Sequence, residues 1–122
     1  TDSVAIADPQ VASAMRFIRE HACRGIRVED VAVQAGLSRR ALERAFATQL
    51  GITPHAQICR VQLQRIKELL AETNLSVEAV AYMAGFNYPA YMGTLFKREM
   101  KLTPAEFRAM SRANASGGRR SP

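Results

Sequence analysis

Residues 35–54, AGLSRRALERAFATQLGITP, return as residues 84–104, AGFNYPAYMGTLFKREMKLTP, and this internal copy constrains the fold more than any other feature of the chain. Both stretches open on Ala-Gly-hydrophobic, carry a Phe further along and close on hydrophobic-Thr-Pro. The offset is 49 residues from Val28/Val77 through Gly36/Gly85 and 50 from Phe46/Phe96 through Pro54/Pro104, so one residue is inserted at the intervening turn. A twofold repeat is too short to stack into a solenoid, and it implies two equivalent helical modules.

Periodicity reads as helix nearly throughout, with no strand-like alternation, so the fold class is all-α with about seven helices. Asp8 before Pro9 marks a helix start, because Pro at the first helical position gives up an N–H that would have no partner anyway. Val11, Ala14, Met15, Ile18 and Ala22 share a face, and Gly25 ends that region. Val28 to Ala35, a break at Gly36, and a helix from the cap Ser38 to about Leu50 make a helix-turn-helix. A long helix follows from Pro54 to about Glu72, with Ile58, Val61, Leu63, Ile66, Leu69 and Leu70 as candidate buried positions. The cycle then restarts. Ser76 caps Val77 to Ala84, Gly85 breaks, Asn87 caps a helix to about Met100, and Thr103-Pro104 opens a last helix to about Met110. The expected organisation is a linker from a preceding sensor domain (residues 1–8), a first helix-turn-helix subdomain (9–53), a linker helix (54–73), a second subdomain (74–112) and a disordered tail (113–122).

Composition narrows the function. The formal charge of +6 points to a polyanionic partner, nucleic acid first and an acidic membrane surface second. A membrane reading lacks its long basic amphipathic helix with exposed aromatics, and no stretch approaches the run of apolar residues that a span requires. Cys23 and Cys59 stand without a CxxC or Cys/His cluster and read as reduced packing residues, which suits the cytoplasm. His21 and His55 have no metal-ligand spacing, so neither a metal nor a cofactor is expected. An enzyme is not expected either: there is no Ser/His/Asp arrangement, no facing carboxylate pair and no glycine-rich phosphate loop. The remaining rival is a helical protein-interaction module without DNA binding, which needs a contiguous apolar patch outside the two cores.

In a helix-turn-helix the second helix enters the major groove of duplex DNA and offers its first turns to base edges. Here it begins SRRALERAF, so that Arg40, Glu43 and Arg44 share one face while Leu42 and Phe46 share another that points inward. Arg matches the O6 and N7 of guanine and Glu accepts from cytosine N4, which makes Arg40, Glu43 and Arg44, with Arg39 beside them, candidate base contacts. The plainer alternative is a solvated face on which Glu43 pairs with Arg39 or Arg40. In the second module Pro89, Ala90, Gly93 and Thr94 would line the groove, small enough for close approach, with Thr94 or Tyr91 able to hydrogen-bond a base or phosphate. Tyr88 and Tyr91 have packing roles as their alternative. Lys97 and Arg98, together with His55 at a helix start, are candidate phosphate contacts, to which Arg27, Ser38 and Asn87 at the other helix starts are added; His55 can equally be an ordinary exposed histidine. A helix from Pro54 to Glu72 would be roughly 28 Å long at about 1.5 Å per residue, close to the ~34 Å turn of B-DNA, so one chain could place both readers in successive major grooves.

The chain resembles the C-terminal DNA-binding region of the AraC/XylS transcription regulators over residues 10–110, through VEDVAVQAGLSRRALERAF, RVQLQRIKELL, TNLSVEAVAYMAGF and FKREMKLTPAEFR. Within that family, AMRFIREHACRGIRVEDV and TPHAQICRVQLQRIKELL look most like the branch regulating xylose operons. The resemblance implies two homeodomain-like helix-turn-helix units on a linker helix, transcription activation through RNA polymerase, and a sugar effector bound by a separate N-terminal domain. It also implies base contacts at Arg40, Glu43, Arg44, Pro89, Ala90, Gly93 and Thr94. Many relatives carry Arg where Thr94 stands, which weakens the expectation of strong base reading by the second unit. The fragment itself is expected to be a monomer.

Overall fold

The computed structural model describes residues 8–119, and seven α-helices and one short 3₁₀ turn make up their regular structure. In chain order these are α1 (Pro9–His21), the 3₁₀ turn Ala22–Arg24, α2 (Val28–Ala35), α3 (Arg39–Leu50), α4 (Pro54–Glu72), α5 (Val77–Met83), α6 (Pro89–Met100) and α7 (Pro104–Arg119). Among the described residues there is no strand. The all-α reading with two helix-turn-helix units therefore stands. The chain divides into two compact units between Gln62 and Leu63, inside α4. The helix expected as a separate linker thus gives its first half to one unit and its second half to the other. Residues 1–7 and 120–122, with most of the expected leading linker and the last of the expected tail, lie outside the described residues.

In the first unit the helix starts follow from side-chain acceptors. The Asp8 carboxylate accepts from Gln10 N at 2.8 Å and the Ser38 hydroxyl oxygen from Ala41 N at 3.1 Å, each satisfying an amide that the helix leaves unpaired. Val11, Ala14 and Ile18 on α1 fall at helical spacing and are wholly buried, as are Val31 on α2 and Leu42 and Phe46 on α3. Ile58, from the first half of α4, completes this core, with Val61 partly buried against it. Each of the larger of these side chains (Val, Leu, Ile, Phe) contributes about 1.5–3 kcal/mol by leaving water.

The second unit repeats the plan with other residues. Leu63, Ile66, Leu69 and Leu70 from α4 are buried, as are Val80 and Ala81 on α5 and Met92, Leu95 and Phe96 on α6. The Phe96 ring meets Phe107 of α7 edge-on, centroids 5.6 Å apart, an arrangement that sets a ring's positive rim against the other's negative face.

The two turns show where the extra residue went. Gly36 and Gly85 both have positive φ, 73° and 94°, and the next amide donates back across each turn: Leu37 N to Ala32 O at 2.9 Å and Phe86 N to Ala81 O at 3.0 Å. Up to this point the copies match at an offset of 49. The next helix is capped by Ser38 in one copy and Tyr88 in the other, an offset of 50, so Asn87 is the inserted residue. The expectation that Asn87 caps α6 is corrected. Pro89 occupies the first turn and pushes the residue before it into an extended conformation, so the boundary falls at Tyr88 (φ −126°, ψ 104°), whose side chain makes no capping hydrogen bond.

A second correction concerns the chain end. Helix α7 runs to Arg119 rather than ending near Met110. Two arginines fasten it. Arg108 Nε donates to Leu70 O at 3.0 Å and its Nη2 to Thr73 O at 3.2 Å; Arg112 Nη1 donates to Asn74 Oδ1 at 2.9 Å and its Nη2 to Thr73 O. The carbonyls left unpaired at the end of α4 thereby receive charged donors from another helix.

Candidate nucleic-acid interface

Helix α3 separates its two duties as its spacing requires. Leu42 and Phe46 are buried, whereas Arg39, Arg40, Glu43 and Arg44 are exposed. Among the described residues Arg40 and Arg44 take part in no ion pair, so their guanidinium forks are available to an outside acceptor. Arg39 is occupied. Its Nε bonds Glu43 Oε2 at 3.1 Å, one turn on along the same helix, and its Nη1 bonds Glu29 Oε2 of α2. The alternative read from the sequence, an internal Glu43 pair, is thus present with Arg39 and extended by a second carboxylate. Glu29's carboxyl is held below the ordinary value of 4.5 by a backbone hydrogen bond first, against some desolvation, and then by Arg39 and Arg27.

Helix α6 offers a different surface. Ala90, Gly93, Thr94, Lys97 and Arg98 line one open concavity of ≈ 550 Å³ together with Thr103 and Pro104 at the start of α7. Five candidates named from the sequence are therefore gathered in one place within the second unit. Pro89, Tyr91 and Asn87 are not in its lining. Tyr91 is half exposed, with its ring 6.0 Å from that of Phe86, and Tyr88 is 74% exposed, so a packing role for Tyr88 is ruled out. The Thr94 hydroxyl donates to Ala90 O at 3.1 Å and keeps its lone pairs for an outside donor. Gly93 sits in mid-helix, where a Cβ would meet nothing within 4 Å. Glycine there costs about 0.5–1 kcal/mol relative to alanine, and no packing among the described residues requires it.

The phosphate candidates sit at helix ends or on exposed turns. Arg27, Ser38, His55, Asn87, Lys97 and Arg98 are all exposed. Arg27 and Ser38 are the residues preceding α2 and α3, and His55 is in the first turn of α4, where helix N-termini favour anions. His55's ring lies 3.9 Å from Cys59 Sγ. Arg98 also reaches its neighbour Glu99 at 3.4 Å. Among the described residues no group of His, Cys, Asp and Glu could hold a metal ion, and no helix is long and apolar enough to cross a membrane.

Sequence reasoning missed two features. Glu29's grip on Arg39 joins residues ten positions apart on different helices, which no periodicity exposes. The fastening of α4 by Arg108 and Arg112 spans 35 to 39 residues and looks in the sequence like surface charge.

Comparison with known proteins agrees with this geometry. A helix-turn-helix domain family matches residues 31–110. The chain is 39% identical over 108 residues to the xylose operon regulatory protein of Escherichia coli strain K12, covering 88% of this chain and 28% of that protein. Among solved structures it is similar to the xylose-binding transcription activator xylR, at 38% identity and a TM-score of 0.75 over 86% of this chain and 28% of that one. It is also similar to the DNA-binding domain of AdpA in complex with a target DNA, at 29% identity and a TM-score of 0.82 over 88% of this chain and 96% of that one. The chain thus spans little more than a quarter of the xylose regulators' length and nearly all of a DNA-binding domain. It belongs to the AraC-type helix-turn-helix family of DNA-binding domains.

Proposed function

We propose that this domain serves an activator of a sugar-catabolic operon, xylose being the sugar its relatives suggest, by laying α3 and α6 into successive major grooves on one face of a duplex. Arg40, Glu43 and Arg44 read base edges from α3. Pro89, Ala90, Gly93 and Thr94 make a close apolar and hydrogen-bonding approach from α6, with Tyr91 at its margin. Arg27, Ser38, His55, Asn87, Lys97 and Arg98 hold phosphates. The observation that carries this reading is that both copies of the repeat keep a buried Phe at the same helical position while their outward faces hold arginines without an ion-pair partner among the described residues, or a glycine whose added Cβ would meet nothing among them. RNA polymerase as a partner, a sugar effector on a separate N-terminal domain, a cytoplasmic setting and a monomeric fragment belong to the same proposal.

Salt titration of binding to duplex DNA tests it. Neutralised phosphates release counterions, so the logarithm of affinity should fall linearly with the logarithm of salt concentration, by about 0.9 for each phosphate held. A selected duplex should keep an advantage over random duplex at every salt concentration. Salt-insensitive binding would overturn the reading in favour of a protein-interaction module, and equal affinity for both duplexes would overturn the base-reading roles.

A further inference from the structure

Among the described residues, Arg39 is the one arginine on the exposed face of α3 that is already engaged, and its partners are one residue of the reading face and one residue outside it. We propose that Arg39 is a positioning residue, not a base reader: the chain Glu29–Arg39–Glu43 ties α2 to α3 and sets the Glu43 carboxylate in the orientation in which it accepts from a base. This rests on the reading of Glu43 as a base contact proposed above.

The geometry supports the assignment at each joint. Glu43 lies one helical turn beyond Arg39, within reach of its Nε at 3.1 Å, so a single Glu43 oxygen, Oε2, is fixed. The other oxygen has no protein partner among the described residues and belongs to an exposed side chain. A lone glutamate on a helix surface samples many rotamers, and a carboxylate pinned at one oxygen samples far fewer before a base arrives. Arg39 alone would not suffice, since its own long side chain is mobile. Glu29, fixed on a different helix, takes the other end of the guanidinium and removes that freedom. Only a planar fork with several donors can hold two carboxylates at once in this way; a lysine ammonium has the charge but not the shape. All three side chains are about half exposed, so the network adds little to stability and its value is directional. The second unit has no counterpart: Glu78, Pro89 and Gly93 occupy the equivalent positions, and its helix has no carboxylate to orient there.

The test is the discrimination profile of the whole 122-residue chain against duplexes varied one base pair at a time, for wild type, Glu43→Gln, Glu29→Gln and Arg39→Lys. Glu43→Gln should flatten preference at one base pair, by about five- to a hundredfold for a lost specific contact. Glu29→Gln and Arg39→Lys should weaken preference at that same base pair, roughly threefold or more, without a change in thermal unfolding beyond that of other surface substitutions. Combining Glu29→Gln with Glu43→Gln should add nothing to Glu43→Gln alone. Arg39→Lys conserves charge and so separates positioning from a general change in attraction to DNA. Effects at different base pairs, additive effects, or an Arg39→Lys protein with the wild-type profile would overturn the proposal. A Glu29→Gln protein that binds all sequences equally more tightly would instead make Arg39 a phosphate contact held back by Glu29. If Glu43→Gln itself leaves every base pair unaffected, the base-reading role fails first and the positioning role with it.

Discussion

Helices α3 and α6 are each 12 residues long, each buries a Phe at its eighth position, and each ends in a residue with positive φ, yet they turn opposite chemistries outward. Where α3 has Arg40, Glu43 and Arg44, α6 has Ala90, Gly93 and Thr94. The inward halves are alike because packing a second helix against a first admits few solutions. The outward halves diverge because core packing does not constrain them. In the proposed function the first unit supplies charged hydrogen bonds at base edges, and the second a close approach over the concavity that Lys97 and Arg98 help to line. On that proposal, two copies of one scaffold divide the recognition of a duplex into directional reading and surface fit.

The largest expected effect probes what the copies share. Phe46→Ala and Phe96→Ala each open a cavity in a wholly buried position and should each cost about 3–5 kcal/mol, read as loss of hydrogen-exchange protection in the unit that carries the change. A cost in one unit only would break the equivalence of the anchors. Next comes the contrast in reading. Arg44→Ala should cost roughly 1–3 kcal/mol of specific binding, and Thr94→Ala, which gives up at most a neutral hydrogen bond, about 1 kcal/mol or less. Lys97→Ala should weaken binding to all sequences alike. Equal losses on specific and random duplex from Arg44→Ala would contradict the division of labour.

A third pair concerns the helix ends. Gly51 and Lys101 occupy equivalent positions with φ of 71° and 65°, and only glycine adopts this conformation without strain. Gly51→Ala should therefore destabilise by about 1–2 kcal/mol, while Lys101→Gly should stabilise by a few tenths to about 1 kcal/mol, as measured by thermal unfolding. Gly93→Ala is a sharper probe, because its two effects run in opposite directions. It should raise the melting temperature through about 0.5–1 kcal/mol of helix preference while lowering DNA affinity, since the added methyl occupies the approach surface. A Gly93→Ala protein that binds at full strength would leave the glycine unexplained.

The smallest effect is one of pH. The starts of α4 and α7 both carry a Thr-Pro cap, but only Thr103 has a glutamate three residues on, and the Glu106 carboxylate accepts from Thr103 N at 2.9 Å. That bond first, offset in part by desolvation, holds the Glu106 carboxyl below its ordinary value of 4.5. A depressed folded value means that the stabilisation is full above the ordinary value and disappears as pH falls through the lowered one. The difference in unfolding temperature between wild type and Glu106→Gln should accordingly shrink to nothing in acid, and Ala56, at the equivalent place in α4, has no carboxylate to contribute in this way.

Most of the fold was legible because its punctuation is local. Gly36, Gly85, Ser38, Ser76 and the two Thr-Pro pairs each dictate a boundary through their own backbone or hydroxyl, and the repeat lets each copy check the other. Asn87 misled because its counterpart by simple alignment, Ser38, is a cap, and only the proline two residues later moves the boundary. The length of α7 was hidden because the residues beyond Met110 carry no apolar stripe, and the fastening by Arg108 and Arg112 is tertiary. In the candidate site, the exposed face of α3 could be drawn from spacing alone. The engagement of Arg39 could not, because it depends on where α2 sets Glu29.

The most direct measurement is footprinting of the chain on duplexes obtained by in vitro selection, with major-groove guanines probed base by base. Two protected major grooves about one helical turn apart, with the sharper sequence preference in the one that loses protection when Arg44 is replaced, is the result predicted here. A single protected groove with both units folded, or equal sequence preference in both grooves, would contradict it.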